Sequence, residues 1–395
     1  MKRQLLHTPE GVRDIYNDEC EKKMLLQDQL YHILRLHGYH PIQTPTFEFF
    51  DIFGREIGTT PSKDLYKFFD REGNTLVLRP DITPSIARCA AKYFGEEEQP
   101  IRLCYMGNTF INNSSYQGRL KECTQLGAEL LGDPSVDADA EMISMVISCL
   151  KAAGLKEFQL SIGHADFFRG LMEAAGLLEE QEEELRELIS NKNFFGVEEF
   201  VETLNLEENL KNLFGMLGNL YTGSDELSAA RECAASYPRI LKAIGDLEEL
   251  HKILEVYEVS RYVSFELGTI SNYQYYTGII FAGYTFGSGE AIVKGGRYDR
   301  LLNCFGKDSA SIGFAFVIDQ LMAALQRQKI DVPVERCVEL MVYKSAKRQT
   351  AITAAATARA AGRCVELMLW DETKQRKDYE DYAARSRMTN VQFFA

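Results

Sequence analysis

A chain of 395 residues with 45% hydrophobic residues can bury a large core and predicts more than one domain. Its formal net charge of -14 argues against wrapping a long nucleic acid, because neutralising phosphates takes Lys and Arg. No apolar run is long enough to span a bilayer, and the opening MKRQLLHTPEG lacks the apolar stretch of a signal peptide, so a cytoplasmic location without a membrane partner is expected.

In chain order, residues 17–39 (NDECEKKMLLQDQLYHILRLHGY) carry apolar positions at helical spacing and stop at Gly38. Residues 40–50 (HPIQTPTFEFF) read as extended, with Pro41 and Pro45 confining them to an edge or a sheet entry. Residues 75–94 (TLVLRPDITPSIARCAAKYF) read as strand, turn and helix. Thr83 suits the N-cap there and Pro84 the first helical position. IRLCYMGNTFIN and LKECTQLGAELLG read as strands around a polar loop. VDADAEMISMVISCLKAAG reads as an amphipathic helix and EFQLSIG as a strand.

From 166 to 258 helical patterns follow one another with no convincing strand, which predicts a helical insert. Its EEQEEEL run reads as a solvated helix face. Strands resume at RYVSFELG, YTGIIFAGY and EAIVKGG, and GFAFVIDQLMAALQ ends the sheet in a helix. RQKIDVPVE reads as a linker. Beyond it CVELMVYK, RQTAITAAATARAAG, CVELMLW and KDYEDYAARS suggest a small α/β tail. The nine cysteines form no CxxC pair and fall mostly in apolar stretches, so buried free thiols are expected rather than disulfides or zinc. The six histidines show no metal spacing.

Candidate site residues stand out in four places. Gln125, Gly127 and Glu129 alternate along one strand and so share a face. An amide, a side-chain-free spot and a carboxylate there suit a small-ligand pocket. LRPDIT places Asp81 and Thr83 between a strand and a helix, where they could hold a ligand ammonium group; the plainer reading is that Thr83 caps the helix and Asp81 fixes the turn. GGRYDRLL reads as a glycine turn leading into a helix, without the GxxxxGK[ST] of a phosphate cradle. Arg297 and Asp299 make local pairs on this reading, and Tyr298 is free to face a pocket. SNYQYYTG has three tyrosines in four positions; read as a strand, it points Tyr275 and Tyr276 to opposite faces.

Taken in order, TPEGVRDIY, TPTFE, LRPDIT, GRLKECTQLGAELLG, YQYYTG, GGRYDRLL and GFAFVIDQL resemble the histidyl-tRNA synthetase family. The resemblance runs from about residue 8 to residue 325, broken by the insert. It implies an α+β fold: a class II aminoacyl-tRNA synthetase-like antiparallel sheet flanked by helices over residues 1–328, with the helical insert at 166–258 inside it. Residues 334–395 would form a truncated anticodon-binding-like α/β domain. TPTFE resembles the motif that places a proline, here Pro45, at a dimer interface, which implies a self-dimer through the class II core.

The resemblance also marks what is missing. The family's phosphate-gripping Arg and the Glu that follows it fall at Ile111 and Asn113. The Arg against the adenine falls at Gln320, and the Arg opening the histidine signature falls at Ser271. A phosphate clamp needs fixed positive charge and bidentate donors, which Ile, Gln and Ser do not supply. Losing one such contact costs on the order of 2–4 kcal/mol of transition-state stabilisation. Losing several should leave adenylate chemistry negligible. The amino-acid side is kept. Thr83, Gln125, Glu129, Tyr275, Tyr276 and Tyr298 match histidine-contacting positions, and Asp81 stands where the synthetase has the longer Glu. By resemblance, Glu129 accepts the imidazole N–H, while Asp81, Thr83 and Gln125 hold the α-ammonium group.

This combination resembles the family of ATP phosphoribosyltransferase regulatory subunits. It implies a non-catalytic partner of the short-form catalytic subunit, in a hetero-oligomer that is commonly an octamer. It implies activation of the first step of L-histidine biosynthesis and feedback inhibition by L-histidine, with no cofactor, metal or tRNA. Two alternatives stay open: an active histidyl-tRNA synthetase with unusual motifs, and a free-standing histidine sensor or synthetase-like enzyme acting on another amino acid.

Overall fold

The computed structural model describes residues 6–54, 60–113, 120–269, 275–334 and 338–395. It divides into two compact units, Met1–Val332 and Pro333–Ala395.

In the first unit α1 (Asn17–Leu36) buries Leu26, Leu30 and Leu34, which sit on one helical face, and the chain turns out at Gly38 with φ +82. The short strands β1 (His40–Pro41), β2 (Phe47–Phe49), β3 (Lys67–Phe69) and β4 (Thr75–Leu78) follow. Next come α2 (Thr83–Tyr93) and a long hairpin, β5 (Ile101–Phe110) and β6 (Glu122–Leu131). Then α3 (Val136–Ala152) is capped by Ser135, whose Oγ accepts from the Ala138 N–H at 3.2 Å. It is buried along most of its length between the sheet and other helices.

After β7 (Phe158–His164) come α4 (Ala165–Ala175), α5 (Glu179–Ser190), α6 (Phe194–Glu202), α7 (Glu208–Gly215), β8 (Leu220–Tyr221), α8 (Ser228–Cys233) and α9 (Pro238–Val256). The sheet strands resume with β9 (Val263–Glu266), β10 (Ile279–Thr285), β11 (Val293–Arg297) and β12 (Ser311–Val317), and α10 (Ile318–Arg327) closes the unit.

Nine strands make one sheet in the order β1-β5-β6-β12-β11-β10-β7-β9-β8. Only β1–β5 and β7–β9 pair in parallel, so the sheet is mostly antiparallel. Parallel neighbours need a long crossover, and the helices between β7 and β9 supply it. The expectation of no strand in that segment is corrected: the two-residue β8 pairs with β9 at the sheet edge. The crossover helices share one hydrophobic cluster with the sheet, through residues such as Phe167, Leu213, Ile240 and Leu247. Within α5 only Leu185 and Ile189 are buried, so its acidic run is a solvated face as predicted. Pro41 lies on the edge strand β1, where a missing N–H costs no ladder bond. A separate sheet, β2-β4-β3, stands beside this one.

The second unit has β13 (Val338–Tyr343), α11 (Arg348–Ala360), β14 (Cys364–Leu369), α12 (Arg376–Arg385) and β15 (Asn390–Phe394). Its strands pair in parallel in the order β14-β13-β15. Leu340 and Val342 pack with Tyr379 and Ala383 of α12 on one face, and Met341 packs with Ala355 and Ala358 of α11 on the other.

The expectation of mostly buried thiols is corrected in part. Of the described cysteines, Cys104 and Cys149 are buried, Cys304 and Cys364 are exposed, and the rest are intermediate. No helix among the described residues is long and apolar enough to cross a membrane.

Candidate functional site

The site is assembled around Glu129, near the end of β6, an interior strand third from one edge of the large sheet. Its side chain is 1% exposed. The register explains how it fits. Glu129 pairs with Leu103 on one side and Gly313 on the other. A Cβ on Gly313 would stand 1.5 Å from Glu129 Oε2, so the carboxylate occupies the space a side chain would need.

Two hydroxyls hold it. Thr83 Oγ1 donates to Oε1 at 2.8 Å, and the Tyr298 hydroxyl donates to Oε2. This overturns the reading of Thr83 as an N-cap. The helix α2 begins at Thr83 itself, Ile82 stands in the cap position, and the hydroxyl is drawn away to Glu129. Asp81 serves the turn instead: its Oδ1 accepts from the Ile82 N–H at 2.8 Å, and the Thr83 N–H and the Gln125 side chain lie close enough to favour its charge. Gln125 Oε1 is left buried without a partner.

One residue escaped sequence reasoning. Tyr105 of β5 is paired opposite Gly127, and a Cβ there would lie 2.6 Å from the Tyr105 hydroxyl. The side-chain-free spot is therefore filled by Tyr105 rather than left for a ligand. Its buried hydroxyl approaches Thr83 and Glu129 without a well-aligned hydrogen bond. The signal was the pairing of a tyrosine with a glycine across the hairpin, visible only once the register is known.

Tyr298 owes its position to the segment that carries it. The glycine-turn reading of GGRYDRLL is corrected: Gly295 and Gly296 lie inside β11, paired on both sides. A Cβ on Gly296 would meet the Tyr276 ring at 2.8 Å, so close packing accounts for it rather than a turn. After the strand, the Tyr298 N–H donates to Ser311 O at 2.7 Å and the Ser311 N–H donates to Asp299 Oδ1 at 2.9 Å. Arg297 pairs with Asp299 at 3.4 Å as expected, but its nearer partner is the buried Asp139 at 2.7 Å.

Residues 275–278 are not a strand, which corrects the opposite-face argument. The rings of Tyr275 and Tyr276 lie 4.7 Å apart, and Tyr275 meets Tyr298 edge-on at 5.8 Å. Residues 271–274, Ser271 among them, lie outside the described residues. Thus Asp81, Thr83, Gln125, Glu129 and Tyr298 are brought together, with the rings of Tyr275 and Tyr276 packed beside Tyr298.

The electrostatics follow from this enclosure. Burial pushes the Glu129 carboxyl up to about 8, against the pull of the Tyr298 and Thr83 hydroxyls, while the charge of Asp81 pushes the same way as burial. Burial pushes Asp81 up to about 6, against its backbone N–H partners and Gln125. No cationic side chain is among the interactions that shift either group. Arg79, close by in sequence, is spent on the carbonyl oxygens of Thr44, Pro45 and Asn108.

Among the described residues, the other half of the candidate site has no comparable constellation. Ile111 closes the hairpin through its N–H to Lys121 O at 2.9 Å and brings no charge. Asn113 keeps a buried Oδ1 without a partner among the described residues. Gln320 lies in the first turn of α10, and its neighbour Asp319 accepts from the Thr124 N–H and pairs with Lys23, each at 2.7 Å.

The family model for histidyl-tRNA synthetase matches residues 11–321. An ATP phosphoribosyltransferase regulatory subunit from Acetivibrio thermocellus is 42% identical over 365 residues, 92% of this chain and 86% of that protein. The chain belongs to the histidyl-tRNA synthetase family, among its ATP phosphoribosyltransferase regulatory subunits. A second regulatory subunit, from Ruminiclostridium cellulolyticum, is 38% identical over 99% of this chain and 93% of its own length. A crystal structure described as an ATP phosphoribosyltransferase regulatory subunit/histidyl-tRNA synthetase from Bacillus halodurans superposes with a TM-score of 0.86 at 32% identity, covering 99% of this chain and 98% of that one. A histidyl-tRNA synthetase from a Nostoc species, at 18% identity, shares the fold with a TM-score of 0.80, covering 97% and 90% of the two chains. The class II synthetase-like fold is thereby shown.

Proposed function

We propose that this chain is the regulatory subunit of an ATP phosphoribosyltransferase, acting at the first step of L-histidine biosynthesis. It binds L-histidine in the Glu129 pocket and does no adenylate chemistry of its own. The observation that carries this reading is the buried carboxylate pair of Glu129 and Asp81, set against the uncharged Ile111 and Gln320 at the positions that the resemblance assigns to the nucleotide. A buried carboxylate pair suits a ligand that brings its own positive charge and N–H donors, as the α-ammonium and imidazole of histidine do. The names of the relatives support the same function.

The partner is the short-form catalytic subunit, in a hetero-oligomer read as an octamer, located in the cytoplasm. This reading assigns no role to tRNA or to a cofactor. Self-association through the class II core fits the small sheet β2-β4-β3, where Phe47, Phe49 and Phe68 on one face are 52%, 54% and 37% exposed. Activation requires only that the chain bind an active arrangement of its partner more tightly than an inactive one. A preference of about 3 kcal/mol shifts that balance more than a hundredfold. Histidine opposes the shift by favouring the inactive assembly.

The test is reconstitution. Purified chain is mixed with a short-form catalytic subunit, and phosphoribosyl-ATP formation is followed with and without histidine. The expected result is activity that rises on mixing and falls with histidine. Equal activity with and without this chain would overturn the reading.

A further inference from the structure

Two buried carboxylates, Glu129 and Asp81, act on one another, and among the described residues no cation is a leading influence on either. Among the described residues, the groups that act most strongly on Glu129 are neutral except Asp81. From the turn and α2 come Asp81 and Thr83, from β5 Tyr105, and from the segment after β11 Tyr298, with Tyr276 behind it. On its own strand, Gln125 is tied to Asp81. From β12 there is only Gly313, which has no side chain. At longer range Tyr39 feels Glu129, but the cation beyond it, Arg102, is paired with Glu141 at 3.1 Å. Thr83 links the two acids: its hydroxyl serves Glu129 and its backbone N–H serves Asp81.

Hydroxyl donors ease a buried charge but do not cancel it. Two carboxylates this enclosed cannot both ionise at small cost, so the empty pair keeps a proton. We propose that ligand binding expels this proton to solvent, so that the pocket takes up its cationic ligand in exchange for H⁺ and senses pH as well as ligand. The inference rests on the reading of the pocket as a histidine site. The exchange balances simply. The carboxylic O–H of Glu129 ionises, its proton goes to buffer, and the ammonium and ring N–H of the ligand supply the charge and donors that the carboxylate then accepts. The neutral acid could not do the same, because it carries no charge and its protonated oxygen is a donor rather than an acceptor. Glu129 is the holder of the proton and Asp81 the ionised member near neutral pH, since burial raises the first to about 8 and the second to about 6.

The experiment is titration calorimetry with L-histidine at pH 7 in buffers of differing ionisation enthalpy. The plot of observed heat against buffer enthalpy should have a slope equivalent to about one proton released per site. Affinity should rise roughly tenfold per pH unit between pH 6.5 and 7.5, as linkage requires for one released proton. Glu129→Gln, the isostere of the protonated acid, assigns the proton: the slope should vanish in it. Should that variant fold poorly, the slope and the pH series of the unmodified protein decide alone. Histidine binding with zero slope overturns this inference and leaves the pocket reading standing. Absence of histidine binding overturns both. A slope near one that survives in Glu129→Gln and in Asp81→Asn overturns the assignment to this pair.

Discussion

The two halves of the synthetase-like site differ in what their polar groups are doing. Around Glu129 the partners come from distant segments, Thr83 and Tyr298 lying 46 and 169 residues away, and they converge on one carboxylate. On the other side the contacts are local, and the buried Asn113 Oδ1 has no partner among the described residues. Asp319 is consumed by Lys23 and Thr124, and Ile111 contributes only its backbone. On the proposed reading, recognition of a ligand and stabilisation of a transition state would rest on separate residues. Only interactions made more strongly in the transition state accelerate chemistry, so on the proposed reading a site without a phosphate clamp keeps its amino-acid affinity and loses its reaction.

The comparison can be strained first at Glu129 through pH. Its carboxyl is raised from 4.5 to about 8, so its contribution to stability is complete below pH 4.5 and is lost as pH rises through 8. At pH 9 the empty protein should be less stable than Glu129→Gln by on the order of 3–5 kcal/mol, read from denaturant midpoints across pH. A parallel pH profile in the two proteins would show that the carboxyl is not enclosed. The next effect is on binding. Glu129→Ala should weaken histidine by roughly 1.5–3 kcal/mol, because a charge-assisted contact is lost. Binding as tight as in the unmodified protein would place the histidine site elsewhere.

Gly313→Ala sharpens the comparison without touching a polar group. The added methyl would collide with the Glu129 carboxylate, so it should cost about 1–3 kcal/mol of stability and weaken histidine binding together. A change in stability alone would separate the carboxylate position from recognition. The smallest effect is expected for Gln125→Ala, about 0.5–1.5 kcal/mol of binding, because the partner lost is neutral.

Local patterns made much of this legible. The alternation of Gln125, Gly127 and Glu129, the strand–turn–helix around Asp81 and the helical segment after β7 all follow from short-range periodicity. What stayed hidden depends on register between segments far apart in sequence. Thr83 had a good local partner as an N-cap, and a buried carboxylate on β6 outcompeted it. Gly295 and Gly296 looked like a turn because glycine pairs usually mark one, whereas here the rings of Phe281 and Tyr276 need the space. Tyr105 carried no signal until β5 and β6 were paired and Gly127 stood opposite it.

The split between the two halves can be measured in one calorimetric experiment. L-histidine is titrated into the protein alone and into the protein saturated with ATP and magnesium. Binding in both titrations with the same affinity, and no change on adding ATP, is the predicted result. Histidine that binds much more tightly in the presence of ATP would contradict it, because a working nucleotide half would then be coupled to the amino-acid half.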